Sequence, residues 1–192
     1  MPNVDAPFGF RPVKHLSGAE FNQQVNQYTA ITPATVLGVG DPVELTGTAN
    51  ADGIPEVQRA SDDSLIVGVI VSVEPDREDQ GRTRVETTDT VLLNVADSPD
   101  IIYEVQVNDN GIVLNDIGNI ADIVFGDASA TTGKSVCELD GSDIGTGDDL
   151  RILRKKRIED NDIDTVAANG AFAIVEVVFT NHLYGSRSQT AV

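Results

Sequence analysis

The stretch Val91-Leu92-Leu93-Asn94-Val95-Ala96, Asp97-Ser98-Pro99-Asp100, Ile101-Ile102-Tyr103-Glu104-Val105-Gln106-Val107 sets two apolar, β-branched runs on either side of a four-residue joint. Val and Ile have little χ1 freedom and pack well on a pleated surface, so both runs are expected as strands. The joint is a turn by composition, because Asp and Ser bond to nearby backbone and Pro fixes φ. In the second run Tyr103, Val105 and Val107 alternate with Glu104, Gln106 and Asn108. A period of two predicts a strand with one buried and one wet face.

The same pattern recurs on both sides. Strands are expected near Gln24 to Ala30, Pro42 to Leu45, Pro55 to Arg59, Leu65 to Glu74, Ser135 to Leu139, Leu150 to Ile158 and Ala171 to Thr180. Gly68 inside the fourth marks a bulge or a close backbone approach. Between Ile112 and Phe125 the apolar positions Val113, Leu114, Ile117, Ile120, Ala121 and Val124 fit helical spacing as well as strand spacing, which makes this the one expected helix. The fold class is therefore all-β: a single β-sandwich or partly closed β-barrel with at most one short helix.

Residues 1–20 stand apart. Pro2, Pro7 and Pro12 forbid a helix, while Phe8, Gly9, Phe10, Val13 and Leu16 supply apolar side chains. This reads as an extended N-terminal arm that must lie on something to bury Phe8 and Phe10; the alternative is an ordinary first strand. The core domain follows over 21–183, with a short polar tail over 184–192.

The 192 residues suit one domain, and 31 Asp and Glu against 13 Lys and Arg leave a net charge of −18. Nucleic acid and anionic membranes are not expected partners, since neither accepts a surface of their own sign. A basic protein face is. The single cysteine, Cys137, forms no intrachain disulfide or cysteine zinc cage. Met1-Pro2-Asn3-Val4-Asp5 has neither a basic nor an apolar signal region, so synthesis without secretion through a signal peptide is expected, and a free thiol suits a reducing cytoplasm.

Chemistry-bearing patterns are sparse. Gly133-Lys134-Ser135 resembles the end of a phosphate loop, but Ala128 stands where the first glycine belongs and a strand follows, so a turn is expected. The loops 141–149 and 159–164 read as solvated acidic loops. Asp140, Asp143, Asp148 and Asp149 could group irregularly around a cation, yet Gln106 and Ile117 break one EF-hand register and Ile144 the other. No metal or cofactor is assigned. The only histidines are His15 and His182, no Gly-x-Ser-x-Gly elbow occurs, and Cys137 lies in an apolar-alternating run. No catalytic residue is assigned, and the chain is not expected to be an enzyme. Arg151, Arg154, Lys155, Lys156 and Arg157 hold five of the thirteen basic residues within seven positions, bracketed by Asp148, Asp149, Glu159, Asp160, Asp162 and Asp164. Pairing with acids between strands or subunits is the expected use of this stripe.

The opening Asn3-Val4-Asp5-Ala6-Pro7-Phe8-Gly9-Phe10-Arg11-Pro12-Val13, with His15-Leu16-Ser17-Gly18, resembles the start of tailed-bacteriophage capsid cement, or head decoration, proteins. Similar blocks follow in order: Gly40-Asp41-Pro42-Val43-Glu44-Leu45, Gly53-Ile54-Pro55, Val67-Gly68-Val69-Ile70, Asp100 to Gln106, and Thr132-Gly133-Lys134-Ser135. The resemblance implies a structural protein on the outer surface of a virion, clamping neighbouring major capsid protein subunits as a homotrimer or homodimer. It implies Phe8 and Phe10 as apolar anchors and Arg11 as a polar one; the stripe holding Arg154, Lys155, Lys156 and Arg157 is expected from its charge pattern, not from the resemblance, to meet the acidic face of a neighbouring copy. Other readings are a tail- or fibre-associated virion protein, a carbohydrate-binding β domain, and an acidic DNA mimic.

Overall fold

The computed structural model describes residues 3–75, 80–164 and 170–185. The strands are β1 (Arg11–His15), β2 (Asn26–Ile31), β3 (Leu37–Gly38), β4 (Pro42–Ala49), β5 (Pro55–Arg59), β6 (Ile66–Val73), β7 (Arg84–Val85), β8 (Thr90–Ala96), β9 (Ile101–Gln106), β10 (Ile120–Ala121), β11 (Ile123–Val124), β12 (Glu138–Leu139), β13 (Leu150–Lys155) and β14 (Ile174–Phe179). No α-helix occurs among the described residues. The all-β expectation holds.

Two sheets carry the architecture. β2, β5, β4, β6 and β8 close into a barrel whose pairs are antiparallel, except where β2 and β5 meet in parallel at Thr29 and Glu56. β1, β9, β14, β13 and β10 form an antiparallel five-stranded sheet in that order. The turn 97–100 is where the chain leaves the barrel for the sheet, so β8 and β9 do not pair with each other. Tyr103 secures the crossing by donating its hydroxyl to the Ala96 carbonyl at 3.0 Å.

The apolar run of β6 is buried on both faces. Val67 and Ile70 join Tyr28, Leu37, Val43, Leu93 and Val95 inside the barrel. Ile66 and Val69 join Phe10, Tyr103, Val105, Val175, Val177 and Phe179 in a second core, beneath the five-stranded sheet. Gly68 lets the two meet: a Cβ there would stand 2.1 Å from the Ala96 carbonyl oxygen. It is the close approach that its position in the strand announces.

Several expectations are corrected. Ile112 to Phe125 is not a helix but a single 3-10 turn (Leu114–Asp116) followed by β10 and β11. Gly118 sits at φ +99°, which an L-residue helix does not tolerate, and β10 and β11 satisfy their backbone by pairing with β13 and β12. β9 is not half-wet: all six of its residues are buried, because distant groups cover Glu104 and Gln106. Phe10 is not an outward anchor. It is 1% exposed, with its ring centroid 5.2 Å from that of Phe179 and edge-on to Tyr103 at 6.4 Å. The acidic loops are not wholly solvated either, since Asp149 and Asn161 are buried.

Candidate functional site

β1 follows Phe10 and forms one edge of the five-stranded sheet. Its register places Arg11 opposite Glu104 of β9, Glu104 opposite Glu176 of β14, and Glu176 opposite Arg154 of β13. Tyr103 and Val105, like Val175 and Val177, belong to the core. Alternation therefore sends Glu104 and Glu176 to the far face. The result is one charged row across four strands.

Two further lysines complete it. Arg11 Nε donates to Glu104 Oε2 at 3.1 Å, and Lys156 Nζ donates to the same oxygen at 2.8 Å. Glu176 Oε2 lies 2.8 Å from Lys14 Nζ and 3.2 Å from Arg154 Nε. Burial alone would raise Glu104, but the hydrogen bonds from Lys156 and Arg11 outweigh it and hold this carboxyl below the usual range. Four cations face two carboxylates, a local surplus of two positive charges on a chain of −18. Arg11 and Arg154 each remain 55% exposed at the side chain. Each pair sets a partly exposed cation on a largely buried carboxylate, which fixes the outward-facing guanidinium groups in place. What they do well is orient a partner.

The row thus unites the two groups singled out in the sequence, the N-terminal residues and the basic stripe. Arg11, Arg154 and Lys156 belong to it. Lys155 is half-buried and Arg157 exposed, and neither meets a described carboxylate at ion-pair distance. Lys14, Glu104 and Glu176 carried no signal of their own, because cross-strand register is invisible before the strand order is known.

Beside the row runs a groove of about 390 Å³ between β1 and the barrel, lined by Phe8, Arg11, Phe21, Gln23, Val71 and Lys134 among others. Arg11 caps the half-buried Phe8, its guanidinium carbon 5.1 Å from the ring centroid. Gly9 and Gly40 allow this entry: both have positive φ, and Phe10 N–H donates to the Gly40 carbonyl at 2.9 Å. Upstream, Gln106 receives Ala6 N–H at 3.0 Å and donates to the Val4 carbonyl at 2.8 Å, while Asn3 donates to the Ala171 carbonyl. These contacts cover the polar end of β9. Val4 and Leu16 remain 75% and 55% exposed.

The other candidates fall elsewhere. His15 Nδ1 lies 3.1 Å from Asp100 Oδ1, and the Ser98 hydroxyl donates to the same carboxylate oxygen instead of to the imidazole, so the three do not form a nucleophilic relay. Burial and the nearby Asp41 push the Cys137 thiol up to about 12, which keeps it protonated and unreactive. Lys134 lies in a turn where Ser129 N–H donates to its carbonyl at 2.8 Å, and Gly133 packs on Thr83.

No known protein family matches the chain, and no curated protein or solved structure matches it either.

Proposed function

We propose that the chain is a capsid cement protein, docking on the outside of a phage shell through the charged row and the groove beside it. The observation that carries the reading is the joining of Arg11, Lys14, Arg154 and Lys156 on one solvent-facing sheet surface, next to the apolar groove that Phe8 enters. A charged sheet face flanked by an open apolar groove suits recognition of another protein better than enclosure of a small molecule. The N-terminal residues resembling the cement family line that same surface.

In this reading the partner is the major capsid protein at a joint between subunits. The net charge favours a basic partner overall, but this face is locally cationic, so in this reading its four cations pair at short range with acidic capsid groups while Phe8 and the exposed Val4 and Leu16 supply apolar contact. Docking uses the sheet face more than its edge, because the return at 19–21 already occupies the edge of β1: His15 N–H donates to the Ala19 carbonyl and Phe21 N–H to that of Val13. A homotrimer or homodimer presenting several such faces at once gains avidity from high effective concentration.

The test is sedimentation of the purified chain with shells prepared without it, using Phe8→Ala and Arg154→Ala, whose side chain is half-exposed in the row, as variants. The wild type is expected to pellet with shells at fixed stoichiometry. Each variant should weaken binding by about 1–2 kcal/mol, roughly 5- to 30-fold, as for a moderate interface hot spot. Equal binding by both variants, with unchanged thermal midpoints, would place the interface on another face.

A further inference from the structure

Away from this face, three chain segments bring carboxylates together. Asp62 lies in the β5–β6 connection of the barrel, Asp122 between β10 and β11, and Asp149 at the entry to β13 of the five-stranded sheet. Each offers a carboxylate oxygen, and the three oxygens lie within 4.8 Å of one another. Asp63 and Asp148 add further negative charge at the margin, and the Asp63 carboxyl is raised chiefly by Asp148 and then by Asp62. None of the five meets a described Lys or Arg at ion-pair distance.

Asp149 is the informative member. It is 0% exposed, and its Oδ2 has no hydrogen-bond partner among the described residues. Its other oxygen accepts Asn181 Nδ2 at 2.7 Å, which fixes the carboxylate plane. Asp122 is fixed likewise, its Oδ1 accepting Asp148 N–H at 2.8 Å, and Gly147 leaves room for that contact, since a Cβ there would lie 2.3 Å from the same oxygen. Burial, then the charges of Asp122, Asp62 and Asp148, push Asp149 up to about 7. An unpartnered buried carboxylate oxygen beside two more acids is costly unless something positive meets it.

We propose that Asp62, Asp122 and Asp149 bind a calcium ion that ties the barrel to the five-stranded sheet. Calcium takes oxygen ligands at about 2.3–2.6 Å, so ligands on opposite sides of the ion stand about 4.6–5.2 Å apart and adjacent ones closer. Three carboxylate oxygens within 4.8 Å of one another fit that shell. Asp62 is exposed, which gives the ion an entry path and leaves coordination positions for water. Magnesium demands near-ideal octahedral geometry at about 2.0–2.1 Å and keeps its waters, so it is the poorer occupant. Asp148 and Asp149 are among the acids that the sequence grouped loosely; Asp62 and Asp122 come from distant segments and could not be placed beside them.

The proposal is independent of the capsid reading, and its test uses the full chain alone. After chelator treatment and dialysis, CaCl₂ is titrated calorimetrically and the thermal midpoint is followed with and without it. The expected result is saturable one-site binding and a higher midpoint with Ca²⁺ than with equal MgCl₂. Both effects should be lost in Asp62→Asn, whose exposed position leaves folding intact, and in Asp149→Asn. No heat and no midpoint shift at millimolar Ca²⁺ would overturn the proposal. So would an equal shift with Mg²⁺, or one retained in Asp62→Asn, since both mark general screening of the acidic chain.

Discussion

Replacing Phe10 with alanine separates a fold-forming N-terminal segment from a detachable one. The ring is 1% exposed and wedged against Tyr103 and Phe179, so its removal leaves a cavity where the β1 edge meets the second core. Truncating a buried Phe costs about 3–5 kcal/mol. Domains of ordinary stability hold only about 5–15 kcal/mol in total, so the variant should fold but only just. With a urea m-value of about 2–3 kcal/mol/M, the midpoint falls by about 1–2.5 M. Phe8→Ala is the internal control: half-buried and capped by Arg11, it should lower the midpoint by less than about 0.5 M on the same scale. Urea unfolding followed by far-UV circular dichroism measures both. A Phe10→Ala midpoint within about 0.3 M of wild type would refute the core assignment. One consequence is practical: truncation through Phe10 removes core along with contact surface, so loss of shell binding in such a truncation would not by itself identify an arm.

Two further outcomes follow from buried titratable groups. Burial lowers His182 from 6.5 to about 4, so the stability its neutral form supports is complete above pH 6.5 and is lost as pH falls towards 4, by about 3 kcal/mol. Glu138, raised by burial to about 7, acts oppositely: its contribution is complete below pH 4.5 and is lost as pH rises through 7. The two slopes oppose each other in the wild type, so the check is the urea stability difference between wild type and His182→Asn at pH 7.5 and pH 4. That difference should shrink by about 3 kcal/mol at the lower pH, and a constant difference would contradict a buried neutral imidazole. Cys137, fully buried with its pKa pushed up to about 12, should resist alkylation by iodoacetamide at pH 8 in the native protein and react fully in urea, as read by mass spectrometry.

Much of the fold was legible because strands declare themselves locally. Pro42 and Pro55 mark the starts of β4 and β5, and the runs around Ile66, Val91 and Ile101 carry the β-branched composition that pleated sheets select. Register and sheet membership were not legible. The turn 97–100 reads the same whether it folds one sheet back or hands the chain to another, and only the finished pairing shows the second. Glu104 and Gln106 read as wet because they are polar; they are buried because Arg11, Lys156 and the backbone of Val4, far away in sequence, come to meet them. Ile112 to Phe125 misled because apolar spacing there fits two periods, and the deciding feature, Gly118 at positive φ, is a property of the backbone. The candidate site was half-legible: its cations were visible as residue types, but the row that orders them is made by register.

The cement reading meets its most direct test in electron microscopy of phage shells prepared without this chain, incubated with the purified protein and reconstructed with icosahedral averaging. Ordered density is expected at symmetry-related joints between capsid subunits, with the Arg11–Glu104–Glu176–Arg154 face turned toward the shell and the shells surviving heating that disrupts the bare ones. Bare shells after incubation, or bound density with that face turned to solvent, would contradict it.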